Sequence, residues 1–277
     1  MRTLPILLVL VAACEARDEG EDPSGWYDWG EDYFVTEPVE YTTDNYDFPA
    51  KGGYGIADMQ GPIFPAGSST KFGPDEVLPQ GSCYFATDAD LPVELEGIVT
   101  VHPRFYFKTS GCDYGSDEKY YGSYFIQDAT GGIFVLGDSK VAHFDIGDRV
   151  RMKVRGARTS FDLDMVYAHD ILEVDRGPYP IYYQEPTGRL GDQHIGEVQR
   201  VTGVVTTEKS TFGEFQIEGA DGTTYDIGLD SELSRRGAEW PIGTWITVTG
   251  PVLYSYSVYS VVVMRMGQVM VLDGPPE

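Results

Sequence analysis

Two runs, FDIGDRVRMKVRG at residues 144–156 and WPIGTWITVTG at residues 240–250, decide the fold. In each, an aromatic residue and a short Ile-Gly turn lead into alternating apolar and polar positions that stop at a glycine. Alternation with period two marks a strand buried on one face. Its recurrence further along the chain marks an internal repeat.

The surroundings of these runs repeat as well. VELEGIVT (93–100) and YFIQDATGGIFVL (124–136) precede the first run and residues 161–173 follow it; VQRVTGVVT (198–206) and FQIEGADGTTYD (215–226) precede the second and residues 254–264 follow it. The order in both copies is a strand with a mid-strand glycine, a hairpin closed by Asp and Gly, an Ile-Gly turn into a strand ending at Gly, and a last strand. From about residue 90 onward, β-branched and aromatic runs alternate with Gly, Asp and Pro, and the best helical candidate is only residues 230–236. The fold class is therefore all-β, two tandem five-stranded OB-fold-like barrels, with the glycine letting the first strand bend to join both halves of its barrel. One larger sandwich built from all the strands is the alternative. Residues 88–176 and 197–273 are the expected barrels, joined by a connector at 177–196. Gly147 and Gly156 stand two residues further apart than Gly243 and Gly250, which implies a bulge or a longer strand in the first copy.

YFIQDATGGIFVL resembles the OB-fold modules of secreted bacterial proteins, including those attached to extracellular nucleases. FGEFQIEGADGTTYDIG (212–228) and WITVTGPVLYSYSVYSVVVMR (245–265) are similar to the trailing domains of myxobacterial-type cell-envelope lipoproteins. The likeness covers roughly residues 75–273, lies at the level of the fold, and brings no nuclease domain with it.

Ahead of the repeats, Arg2, an apolar run over 4–13 and the small residues Val11, Ala12 and Ala13 before Cys14 read as a signal peptide over residues 1–13. The run is about half of the ~20 residues a spanning helix needs. The Val-Ala-Ala-Cys arrangement resembles the bacterial lipobox, which implies a lipid attached to Cys14 and, with Glu15 rather than Asp next, an outer-membrane lipoprotein. An ordinary secretory signal cut elsewhere is the alternative. Residues 14–50, twelve acids against Arg17 alone among scattered aromatics, read as a disordered acidic tether, and the Gly/Pro-rich stretch 51–87 as a linker.

Net charge is −24, so generic binding to a phosphate backbone starts at an electrostatic disadvantage. After Cys14 only Cys83 and Cys112 remain, and export favours a disulfide between them over two separate thiols. Nucleophile elbows, His-Glu-x-x-His, Walker loops and Cys-x-x-Cys are absent from the sequence, and His102, His143, His169 and His194 have no ligand spacing. No enzyme, metal or cofactor is expected.

Three surfaces invite a ligand. Arg149, Arg151, Lys153 and Arg155 fall on one face of a strand, a basic row suited to anions unless Glu94 and Glu96 on the first strand and Asp162 and Asp164 on the fifth neutralise it. The loop after the first strand holds Phe105, Tyr106, Phe107, Tyr120 and Tyr121, which either stack on bases or sugars or simply extend a hairpin; its acidic tip, 113–118, reads as solvated rather than as a calcium loop. In the second copy Tyr254 and Tyr256 share a face with Tyr259 opposite. The expected function is a lipid-anchored, non-enzymatic envelope protein binding a partner protein or an extracellular glycan, the aromatic loop being the foremost contact. The alternative is a nucleic-acid-binding accessory protein for single-stranded or extracellular DNA.

Overall fold

The computed structural model describes residues 40–48, 55–59, 83–85, 93–102, 105–110, 117–136, 144–160, 163–255 and 257–276. The strands are β1 (Tyr41–Thr42), β2 (Cys83–Phe85), β3 (Val93–Val99), β4 (Phe105–Ser110), β5 (Asp117–Gln127), β6 (Gly132–Leu136), β7 (Arg149–Ser160), β8 (Leu163–Asp175) and β9 (Ile181–Tyr182). They continue with β10 (Val198–Val205), β11 (Glu214–Glu218), β12 (Thr224–Leu229), the short helix α1 (Ser231–Arg235), β13 (Trp245–Ser255), β14 (Val258–Val263) and β15 (Val269–Leu272). Among the described residues no helix is long and apolar enough to cross a membrane.

Both copies close on themselves. In the second, β10 pairs with β11, β11 with β12, β12 runs parallel to β14, β14 pairs with β13, and β13 returns to β10. The first makes the same circuit through β3, β5, β6, β8 and β7. Counted within a copy, the cyclic order is 1-2-3-5-4 with a parallel contact between the third and fifth strands, the OB arrangement. Separate closure of each circuit rules out the single large sandwich.

Gly97 and Gly203 let one strand serve both halves of a barrel. β3 follows β7 along Val93–Ile98 and meets β5 only at Ile98 and Val99, and β10 makes the same change of partner at Val204. A Cβ at Gly97 would lie 3.0 Å from the Ile126 Cβ, and one at Gly203 2.6 Å from the Glu218 carbonyl oxygen. The bend leaves no room for a side chain.

Strand alternation fills the interiors. Leu95, Tyr124, Ile126, Val150, Met152 and Val154 are buried in the first barrel; Val201, Phe215, Ile217, Ile227, Ile246, Val248 and Val261 are buried in the second, where Leu233 of α1 joins them. Each such side chain contributes roughly 1.5–3 kcal/mol through burial. The wider glycine spacing in the first copy corresponds to register shifts between β7 and β8 from Arg151 to Gly156, a bulged strand as anticipated.

Two stretches ahead of the expected barrels, the tether read as solvated and the Gly/Pro-rich lead-in, carry packed structure. Within the acidic tether, residues 40–48 pair as β1 parallel to β9, the Tyr46 hydroxyl accepts the Tyr182 N–H at 2.9 Å, and Phe48 is buried with Ile98, Ile146, Ile181 and Val198. The acidic average over 14–50 masked three aromatics, Tyr41, Tyr46 and Phe48, that have a surface to cover. Within the expected linker, Ile56 and Met59 join the first apolar core, and β2 pairs with β7. The connector is also packed: Gly196 donates to the Val252 carbonyl, and a Cβ at Gly132 or Gly196 would come within 2.0 or 2.3 Å of the other's carbonyl oxygen. The two barrels form one packed body.

Candidate binding surfaces

A polar network holds the barrels together from the end of the first strand. His102, buried just after β3, donates from Nδ1 to Asp145 at 2.5 Å, and Arg265 of the second barrel donates from Nε to His102 Nε2 at 2.9 Å and from Nη2 to Asp145 at 2.6 Å. Burial alone would raise the Asp145 carboxyl, but the hydrogen bond and electrostatic attraction from His102, with the Arg265 charge beside them, outweigh it and hold the group down at about 2. The Gln268 amide oxygen accepts from the Met264 and Arg265 backbones, fixing the arginine's approach. Gln127 stitches β5 to the connector, donating to the Tyr182 carbonyl at 2.9 Å and accepting the Val198 N–H at 2.7 Å. Nothing in the spacing of these residues marks them as partners; the network assembles only when the second barrel docks.

That docking covers the strand face beside the aromatic loop. Phe125 and Phe134, register partners whose ring centroids lie 4.9 Å apart, alternate with the inward Tyr124, Ile126, Ile133 and Val135 and so stand on the outer face of β5 and β6. They are nonetheless fully buried. The members of their cluster from outside the first barrel are Ile56, Met59, Ile195, Leu253, Val262 and Met264. The outer face centred on Phe125 and Phe134 is covered by the connector, the second barrel and residues 55–59.

The matching face of the second barrel is open. Glu214, Gln216, Glu218, Thr224 and Asp226 occupy the outward positions of β11 and β12, with Asp221 at the turn between them. Gln216 donates to Asp226 at 2.9 Å, and Asp221 is held low by hydrogen bonds from Thr223. The adjoining loop exposes Phe212, while its one base, Lys209, donates to the Ser234 carbonyl at 3.0 Å. The surface is acidic with an aromatic rim.

Two members of the basic row, Arg149 and Arg151, have counter-ions. Arg149 meets Glu96 at 2.6 Å, and Arg151 meets Glu173 at 2.9 Å and Glu94 at 4.0 Å. Acids lie on both sides as expected, but the fifth-strand acid that meets the row is Glu173, with Asp170 opposite Lys153 in register, and not Asp164, which pairs with Thr159 at the far end of the hairpin. The antiparallel return of the 13-residue β8 brings its C-terminal half alongside Arg149–Lys153. Asp162 lies outside the described residues, as does the side chain of Arg155.

Of the aromatic loop, the backbone forms the β4–β5 hairpin, with Tyr106 opposite Tyr121, Phe107 opposite Tyr120 and an irregularity after Phe105; these five side chains lie outside the described residues. Cys83 sits in β2 opposite Arg158, while Cys14 and Cys112 lie outside the described residues. Tyr254 and Tyr259 are register partners across the β13–β14 hairpin with ring centroids 4.6 Å apart, so the hairpin carries an aromatic pair on one face. The tight turn at Ser257, φ 66°, reverses the chain between them. Among the described residues no group of three or more His, Cys, Asp or Glu side chains is placed to hold a metal.

No family model matches the sequence, and no curated protein matches it. Among solved structures, the tetrameric p202 HIN2 is similar over 70% of this chain and 99% of its own, at 13% identity and a TM-score of 0.29. A replication protein A heterotrimer bound to ssDNA is similar over 70% of this chain and 52% of its own, at 12% identity and a TM-score of 0.32. The single-stranded DNA binding protein from Thermus aquaticus is similar over 66% of this chain and 93% of its own, at 13% identity and a TM-score of 0.21. These are distant likenesses, and the OB assignment stands on the two closed circuits of strand pairing in this chain.

Proposed function

We propose that this chain is a non-enzymatic binding protein whose ligand, a partner protein or an extracellular glycan, is met by the open β11–β12 face of the second barrel and by the aromatic β4–β5 hairpin. The observation that carries the reading is the contrast between the two barrels. OB folds take oligonucleotides and oligosaccharides across the second and third strands and the adjoining loops. In the first barrel that face is filled by the chain itself; in the second it is free and carries Glu214, Glu218 and Asp226 beside Phe212. Carboxylates there repel phosphates and suit cationic side chains or neutral sugars stacked on an aromatic rim. Cys14, as a lipid anchor, would hold this unit at the outer membrane, and membrane retention of a Cys14→Ser variant would overturn that part of the proposal.

A second reading, single-stranded nucleic acid, is favoured by the five aromatics of the hairpin, because stacking tolerates any base. Titrating the full-length protein with single-stranded DNA and a glycan panel at two salt concentrations separates the two. Glycan or protein binding that a Phe212→Ala, Glu214→Lys variant weakens supports the first; micromolar DNA binding that falls steeply with salt overturns it.

A further inference from the structure

Residues 55–59, GIADM, form a single 3-10 turn seated at the end of the β5–β6 hairpin of the first barrel. The seat is built without them: Asp128 Oδ1 accepts the Thr130 N–H, the Thr130 hydroxyl and the Gly131 N–H at 2.7, 2.6 and 3.1 Å. Two acceptors remain facing outward, and the turn fills both. Ile56 N–H donates to Asp128 Oδ2 at 2.9 Å, and Ala57 N–H donates to Thr130 Oγ1 at 3.0 Å. Ile56 and Met59, three residues apart, enter the apolar cluster that holds Phe125 and Phe134, while Ala57 and Asp58 face solvent. The turn caps itself through Gly55 N–H to Asp58 Oδ2 at 2.9 Å.

We propose that this seat is a peptide-recognition site, occupied in the resting chain by residues 55–59, and that it takes an apolar-x-x-apolar turn from a partner peptide when its own turn is displaced. The recognition chemistry is a pair of consecutive backbone N–H groups received by Asp128 and Thr130 and two apolar side chains received beside Phe125 and Phe134. Middle positions are unread because they face water. The tethered copy competes at high effective concentration, so a peptide in trans binds weakly until the tethered copy is removed. The site lies on the first barrel and is independent of the β11–β12 face.

Gly55 offers a way to evict the turn without altering the seat. A Cβ there would lie 2.6 Å from Thr130 Oγ1 and 2.8 Å from its Cγ2. The probe is a labelled nonapeptide of residues 53–61 (GYGIADMQG), followed by anisotropy against the full chain and its Gly55→Val variant. Expected is binding to the variant at least about tenfold tighter than to the parent, abolished when the peptide's Ile and Met are both replaced by Ser. No binding to a variant that retains a cooperative unfolding transition, or equal binding to both chains, overturns the proposal. Should the variant fail to fold, hydrogen exchange on the parent decides: Ile56 and Ala57 amides exchanging through local opening, well before those of Phe134 and Val135, support a removable turn, and equal protection refutes it.

Discussion

Replacing Arg265 with Met tests whether the barrels are held by the network described above or merely touch. Two losses follow from the geometry. His102 is 1% exposed, so its Nε2 is left a buried acceptor without a donor, at about 1–3 kcal/mol. The ion pair with Asp145 is worth less than the 3–5 kcal/mol of a fully buried pair, because Asp145 is 41% exposed and water replaces the guanidinium; about 1 kcal/mol is the appropriate figure. Together the variant is expected to lose about 2–4 kcal/mol at neutral pH. The assay is urea unfolding followed by tryptophan fluorescence and circular dichroism, repeated between pH 7 and pH 2. Asp145 is depressed from 3.8 to about 2, so its contribution is complete above about pH 4 and is lost as pH falls through about 2. The difference between parent and variant should therefore narrow in acid by the share that the Asp145 pair carries, about 1 kcal/mol. A variant within 0.5 kcal/mol of the parent at pH 7, or a difference that persists unchanged at pH 2, refutes the reasoning.

Gly196→Ala should destabilise by about 2–4 kcal/mol, since the new methyl meets the Gly132 carbonyl and φ is +81°; an unchanged denaturation midpoint would contradict the close approach. Glu197, pushed up to about 7 by burial, stays protonated in the folded chain where the unfolded chain is ionised, so stability falls as pH rises from about 4.5 through 7. Glu197→Gln should leave stability unaltered near pH 4 and raise it relative to the parent at pH 8, with thermal melts at the two pH values as the check. Glu96→Gln removes the carboxylate that Arg149 meets, Glu96 being 13% and Arg149 30% exposed, and should cost about 1 kcal/mol, shrinking in 1 M salt; a loss as large as that of Arg265→Met would show the basic row to be structural. Mass spectrometry of non-reduced peptides should find Cys83 joined to Cys112, and free alkylated thiols at both would rule the bond out.

The barrels were legible because their determinants are local. Alternation through Arg149–Arg155 and the glycines at 97 and 203 specify strand, face and bend within a few residues of one another. The counter-ions of the basic row were half legible: Glu94 and Glu96 follow from strand order, whereas Glu173 depends on how far β8 runs and where the bulges fall. Contacts between segments far apart in sequence left no such trace. Tyr46 and Phe48 sit in an acidic stretch whose composition argues for solvation, and Ile56 sits between glycines and a proline-rich run. Asp145 precedes a strand by four residues and meets Arg265, 120 positions later, only because the second barrel packs on the first. The open face of the second barrel is written in its alternating acids, but that the first barrel lacks a counterpart follows from the docking alone.

The covered face of the first barrel changes how the repeat is to be counted. Two equivalent open faces on one chain would let a single molecule bridge two ligands, or grip a repeating polymer twice and gain avidity from the link between its sites. With Phe125 and Phe134 spent on holding the barrels together, the proposed strand-face binding would have a valence of one per chain. Any multivalent grip on a polymer then has to come from the number of chains gathered on a surface, so apparent affinity will follow their density there while the affinity of each molecule stays fixed.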